Sequence, residues 1–224
     1  MKNNPVKPTL KTEIIPLVLL IITVVLSFYF YANWPDQVAS HWNFKGEVDG
    51  WSSKTFNAIF FPLLLVGMYL LFIFLPYLDP KKDRYQEFSK PYHIFKASII
   101  GILAIIYLAM GAYNLGYAIN IGQIVPLFIG LMMIVIGNFM GKVKNNWFMG
   151  IRTPWTLSSE NVWNKTHRLG GWLFMIFGLI IIIAPYLPEP LSMGLFFLGA
   201  LALILGTTVY SYLIYRQEQK NIKK

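Results

Sequence analysis

Residues 14–32 read IIPLVLLIITVVLSFYFYA, nineteen positions in a row without a charge. A helix rises 1.5 Å per residue, so about 20 apolar residues cross the roughly 30 Å hydrocarbon core of a bilayer. The three lysines in residues 1–13 give the stretch the look of a secretory signal. It is too long for an ordinary signal core, however, and it ends in aromatics without a small-x-small cleavage site, so it reads as a retained first span. Five further runs follow at 56–75, 97–117, 121–140, 171–187 and 191–215. The fifth is the weakest, because Pro185 and Pro188 crowd its end. The fold class this implies is all-α integral membrane, with six transmembrane helices.

Composition agrees. Of 224 residues, 56% are hydrophobic, 17% aromatic and 13% charged, against roughly 25% charged in a soluble domain. The net charge of +9 in so apolar a chain points to anionic lipid head groups as partners rather than to direct nucleic-acid binding. With no cysteine, disulfides, thiolate metal sites and a cysteine nucleophile are excluded.

Six crossings place both termini on one side. Tail 1–13, loop 76–96, loop 141–170 and tail 216–224 carry 17 lysines and arginines, whereas the other connections carry 2, Lys45 and Lys54, both in loop 33–55. The positive-inside rule then predicts an N-in/C-in topology. Its segments are a tail 1–13, two spans within 14–75 around an outer loop 33–55, a cytoplasmic loop 76–96, spans three and four within 97–140, a cytoplasmic loop 141–170, spans five and six within 171–215, and a tail 216–224.

As drawn, the spans hold no carboxylate, base or histidine. A charge retained in mid-membrane usually marks a pathway or catalytic group, so this pattern argues against ion-coupled transport and intramembrane proteolysis. Asn114, Asn138, Thr207 and Thr208 read as residues that hold helices together. His41 lies on the other side from His93 and His167, so the three cannot form one metal site. His41 with Glu47 and Asp49 is a weak cation signal, and neither metal nor cofactor is expected. Ser158, Glu160 and His167 superficially offer a hydrolase set. Ser158 or Ser159 followed by Glu160 reads better as the N-cap and acidic first turn of a helix, and no enzyme activity is expected.

Two loops are more than connectors. The outer loop contains HWNFKGEVDGWSSK (41–54). Its aromatics and turn residues predict a small ordered cap, with Asp49-Gly50 as a tight turn. The cytoplasmic segment contains GIRTPWTLSSENVWNKTHR (150–168). Proline disfavours helix in the residue before it, so 152–155 reads as extended or turned. A helix from about 160 to 169 then lies in the interface, and Gly170-Gly171 turns the chain into the bilayer.

At this second segment, from Gly137 to Gly170, the chain resembles the SdpI family of bacterial immunity proteins, and the outer motif resembles a domain of unknown function that often precedes it. The resemblance implies a membrane immunity protein giving resistance to a membrane-active peptide toxin. It also implies that some members transduce signals by holding a DNA-binding autorepressor at the membrane. The outer positions that would meet a toxin are His41, Trp42, Asn43, Gly46, Asp49, Gly50 and Trp51. The signature positions are Asn138, Gly150, Arg152, Thr153, Pro154, Trp155, Glu160, Trp163 and Arg168. The rival reading is a small transporter exporting the toxin or another amphiphile. A third is an envelope-modifying enzyme using His41 and the outer acids.

The charge split makes a direct prediction. With cysteine placed at Trp42 or at Trp155 in this cysteine-free chain, a membrane-impermeant maleimide applied to whole cells should label the first position and not the second. The opposite pattern would invert the topology.

Overall fold

In a computed structural model, which describes residues 5–222, the first helix begins where its own sequence caps it. The hydroxyl of Thr9 accepts from the Thr12 N–H while the hydroxyl of Thr12 accepts from the Thr9 N–H, closing a capping box ahead of α1 (Leu10–Asn33). Lys2, Lys223 and Lys224, counted in the charge split, lie outside the described residues. A hairpin of β1 (Gln37–Trp42) and β2 (Val48–Ser53) follows, and Ser53 caps α2 (Lys54–Leu78). A 3-10 turn, Lys82–Phe88, leads into α3 (Ser89–Asn114), then α4 (Ile121–Met140). A short α5 (Pro154–Ser158) precedes α6 (Glu160–Ile183), and a 3-10 turn at Ala184–Tyr186 connects to α7 (Glu189–Ile222).

Six of these helical segments are long and apolar enough to cross a membrane. Their outward faces carry large apolar side chains, such as Val25, Leu63 and Ile204. In water these would be an aggregation hazard; against acyl chains they cost nothing. Helices α1, α2 and α3 pack together, α3 leads on to α4, and α4, α6 and α7 form the other half.

The closest approach is between α4 and α6. Gly137 faces Gly171 and Gly130 faces Gly178, so a Cβ added at any of the four would stand 2.5–2.6 Å from the carbonyl oxygen opposite. The seven-residue spacing on both helices keeps the glycines on one side of each, and small residues are what allow two helix backbones to touch in a membrane.

Two expectations need correction. First, α6 runs unbroken from Glu160, so residues 160–169 are the first turns of the fifth span rather than a separate interfacial helix. Val162, Trp163, Thr166 and His167 are buried inside the protein. Gly170 and Gly171 do not bend the chain: they let Ile151 and α4 approach it. Second, charges do enter the helices. Span limits drawn at residues 14 and 97 stop one position short of Glu13 and Lys96, which lie within α1 and α3 and are both buried. Lys96 Nζ lies 2.5 and 2.7 Å from the two Glu13 oxygens, and Tyr69 donates to the carboxylate at 2.9 Å. Each charge is tolerated because the other neutralises it. Removing one partner of such a pair costs about 3–5 kcal/mol, so this contact ties α1, α2 and α3 at one end.

Gly137→Ala or Gly171→Ala should lower resistance to denaturant unfolding by about 1–3 kcal/mol, the range for overpacking. Gly67→Ala, where an added Cβ meets nothing within 4 Å, should be neutral or stabilising. Equal effects at the three positions would deny the helix contact its importance.

Candidate functional site

The bundle has two differently built ends. At one end the hairpin 37–53 forms the ordered cap expected of the loop. Its turn is at residues 43–46, however, and not at Asp49-Gly50, which lies in β2. The side-chain oxygen of Asn43 accepts from the N–H groups of Lys45 and Glu47, and Gly46 supplies the positive φ (+78°), a conformation costly for residues with a Cβ. Gly50 instead sits opposite His41 at an irregularity in the ladder, where a Cβ would strike that of His41.

The hairpin is rooted on α1 and α2 but is held by other helices. Asn114 on α3 accepts from the Ala39 N–H at 2.7 Å and donates to the Ala39 carbonyl at 3.0 Å, acting as a strand partner. Trp34 Nε1 donates to the Gly111 carbonyl, and Trp34, Phe30 and Tyr107 form an aromatic cluster beneath the strands. At the tip, Gly46 packs on Gly122 of α4, Phe44 meets Phe196 edge-on, and Lys45 pairs with Glu189 at 3.4 Å, both latter partners on α7.

Between the hairpin and the ends of α3, α4, α6 and α7 lies a cavity of about 370 Å³, within the range of pockets that take small ligands or side chains. Trp42, Phe61, Met110, Val125, Ile129 and Phe196 give it an apolar wall. The indole N–H of Trp42 is buried there without a hydrogen-bond partner. Such a donor is costly to leave unpaired, so it favours an occupant that brings an acceptor.

The outer candidates do not form a single patch. His41, Trp42 and Asn43 line the cavity, and Gly46 fits the tip onto α4. Asp49 is bound to His41, 2.5 Å from Nδ1, while Glu47 accepts from Asn43. Trp51 stands apart, 62% exposed.

The other end is filled by loop 141–159, whose polar groups are almost all used up internally. Asp79, 2% exposed, accepts from the N–H groups of Lys81 and Trp147 and from the Tyr85 hydroxyl. Asn146 accepts from the N–H groups of Phe148 and Met149 and donates to the carbonyls of Lys144 and Met149. Asn145 accepts from Lys81 and donates to the Thr156 carbonyl.

The signature residues join this network in part. Gly150 has φ +100°, and its missing Cβ is the space taken by the His167 ring. Fully buried, His167 accepts from the Ile151 N–H at 3.0 Å through Nε2, so its proton is on Nδ1, directed at the Trp163 carbonyl 2.9 Å away. Trp163 stacks on His167 at 3.9 Å and donates to the Val143 carbonyl. Thr153 is extended, as read for 152–155, and forms a capping box with Thr156; from Pro154, in its first turn, the chain is the short helix α5. Thr153 also contacts Ser211 on α7, and Trp155 packs against Tyr212.

Arg152 donates to the Trp147 carbonyl at 2.8 Å, clamping the loop as a guanidinium can. It does not reach Glu160, which pairs with Arg84 at 2.5 Å. Asn138 and Arg168 face outward. Ser159 caps α6 and Ser158 bonds the Pro154 carbonyl, so Ser158, Glu160 and His167 are dispersed over separate structural tasks.

Residues 142–211, from this loop through α6 and most of α7, match the SdpI/YfhL protein family. Residues 18–66, covering most of α1, the hairpin and half of α2, match a domain of unknown function, DUF1648. The chain is 26% identical over 209 residues to Immunity protein SdpI of Bacillus subtilis (strain 168), an alignment spanning 93% of this chain and 98% of that protein. No solved structure matches. The resemblance read from the two motifs therefore extends over nearly the whole chain, and with six apolar helices it identifies a multi-pass bacterial membrane protein.

His167→Phe keeps an aromatic ring in place but leaves the Ile151 N–H without its acceptor, while the Trp163 carbonyl keeps its helical bond. It should lower stability by about 1–3 kcal/mol, measured as a shift in denaturant midpoint. An unchanged midpoint would show that the imidazole hydrogen bonds do not hold the loop.

Proposed function

We propose that this chain is a non-enzymatic immunity protein of the bacterial membrane, that the hairpin end faces outward, and that its cavity engages an apolar segment of a membrane-active peptide toxin. The observation that carries this reading is the cavity beneath the hairpin, with its apolar wall and one unpaired indole donor. A peptide offers apolar side chains for such a wall, and an extended backbone or a helix C-terminus offers free carbonyls for such a donor. The near end-to-end similarity to a protein named for immunity supports the same reading. The lopsided lysine and arginine distribution supports the orientation.

Contact with toxin then falls mainly to Trp42, with His41 and Asn43 at the cavity rim. Trp51 and the acids Asp36, Glu47 and Asp49 are peripheral. Electrostatic attraction at the exposed acids is weak and screened by salt. The transporter reading gains little from the buried Glu13–Lys96 pair, because the two charges and Tyr69 satisfy one another. Docking of a DNA-binding autorepressor belongs to the opposite end. There Trp147 is 46% exposed beside Arg152, which offers an aromatic and a cationic contact on a rigid loop.

The test is survival of a toxin-sensitive bacterium expressing the protein, challenged with a panel of purified membrane-active peptides. Protection should appear against at least one of them. Trp42→Ala, and Val125→Trp, which fills the cavity, should reduce it at unchanged membrane abundance. Asp49→Asn and Glu47→Gln should reduce it less. Arg152→Ala should leave survival near normal while abolishing co-purification of a repressor. Absence of protection across the panel would overturn the immunity reading, and full protection with the cavity filled would overturn its location.

A further inference from the structure

At the end of the bundle opposite the hairpin, a groove of about 640 Å³ runs between the segment leading into α1 and the start of α3. Three lysines stand along it, Lys7, Lys11 and Lys90, all exposed. Among the described residues, none of the three has a carboxylate within 4.0 Å. Helix α1 begins here, at Leu10, with its partial positive charge beside the groove, while α3 continues directly from the 3-10 turn Lys82–Phe88. Its deeper wall is apolar, with Ile15 on α1 and Ile94 and Ala97 on α3. Glu13, next to the groove, is buried behind it and neutralised by Lys96. The groove is therefore cationic at its rim and apolar toward the spans.

We propose that this groove is a binding site for an anionic phospholipid, with the phosphate held among Lys7, Lys11 and Lys90 and an acyl chain lying on Ile15, Ile94 and Ala97. Two features separate this from general attraction of a basic surface to a membrane. One is the concavity, whose lining includes all three lysines. The other is the order of the lining: cations lie next to the helix starts and apolar residues one to two turns further into the spans, as the parts of a lipid are ordered along the membrane normal. His93 stands in the wall, its Nδ1 turned to the buried Glu13 carboxylate 3.7 Å away. A phosphate or a free soluble phosphate ester would satisfy the rim alone; the apolar floor favours the lipid. The site is independent of the toxin-facing cavity at the far end.

The experiment is native mass spectrometry of the full-length protein released from nanodiscs holding equal amounts of phosphatidylglycerol and phosphatidylcholine with identical acyl chains. Wild type should retain phosphatidylglycerol over phosphatidylcholine by about tenfold or more, since each basic residue near an anionic headgroup contributes appreciably. The triple variant Lys7→Gln, Lys11→Gln, Lys90→Gln should lose that preference, and arginine at the same positions should keep it. A charge-matched control, Lys82→Gln, Lys165→Gln, Lys220→Gln, removes three exposed lysines elsewhere and should behave as wild type. Equal loss in the control would reduce the effect to net charge and overturn the site. Displacement of the lipid by millimolar inorganic phosphate would reassign the groove to a soluble anion. If the triple glutamine variant fails to accumulate, Ile94→Trp, which narrows the floor and leaves the charges in place, should lower lipid retention. Unaltered retention in that variant would also overturn the proposal.

Discussion

The backbone contact between α4 and α6 sets the geometry of the second half of the molecule. Lipid tails are as apolar as leucine side chains, so helices in a bilayer gain little from hydrophobic burial and rely on close packing. Four glycines let the two helices meet carbonyl to Cα along two turns each. Once Gly137 and Gly171 touch, the end of α4 and the beginning of α6 are neighbours. The 19 residues 141–159 between them must then fold back on themselves. This confinement explains why the loop is dense in backbone-bonding side chains. A chain reversed in so little space leaves many N–H and C=O groups that no regular element can pair, and Asn145, Asn146, Asp79, Thr156 and His167 take them up.

The hairpin solves a different problem. It belongs by sequence to α1 and α2, yet its strand β1 bonds to Asn114 of α3 and its tip rests on α4 and α7. A two-stranded sheet alone is marginally stable. Here Val38 of β1 is buried against the aromatic cluster, and the missing neighbouring strand is replaced at Ala39 by one asparagine. Because the strands bridge the two halves of the bundle, the space beneath them is enclosed by residues from both. The cavity therefore exists because of the bridge.

Much of this was legible in the sequence. Apolar length identified the six spans, and the density of aromatic and turn residues identified an ordered cap between the first two. What failed were readings in which a local signal served a tertiary purpose. Gly170-Gly171 looked like an elbow because glycine pairs often bend a chain, but these positions are vacant of side chains so that Ile151 and Gly137 can approach. Asp49-Gly50 looked like a turn, but the reversal went to Asn43, whose side chain bonds two turn N–H groups, and to Gly46. Glu13 and Lys96 sat just outside the spans as drawn, and nothing in either neighbourhood indicated that two positions 83 residues apart would meet. Asp79 was invisible for the same reason, since the Trp147 N–H it accepts lies 68 residues away.

The contrast between the ends bears on what the family signature means. At the loop end, several signature residues have a structural task within the chain, Asn138 and Arg168 being exposed exceptions. Gly150 makes room for His167, Thr153 caps α5, Trp163 bonds and stacks, and Arg152 clamps the Trp147 carbonyl. These tasks belong to folding a tight polar loop against two touching helices and need no bound partner. At the hairpin end the balance is reversed. Trp42 has an unpaired donor, and the cavity wall includes apolar atoms that no other side chain covers. A protein that encounters a partner needs some surface whose interactions are incomplete in its absence, and incomplete interactions are harder to recognise in a sequence than complete ones. The segment that matches the family pattern is thus densely bonded within the chain, whereas the hairpin end keeps an open apolar cavity and an unpaired donor.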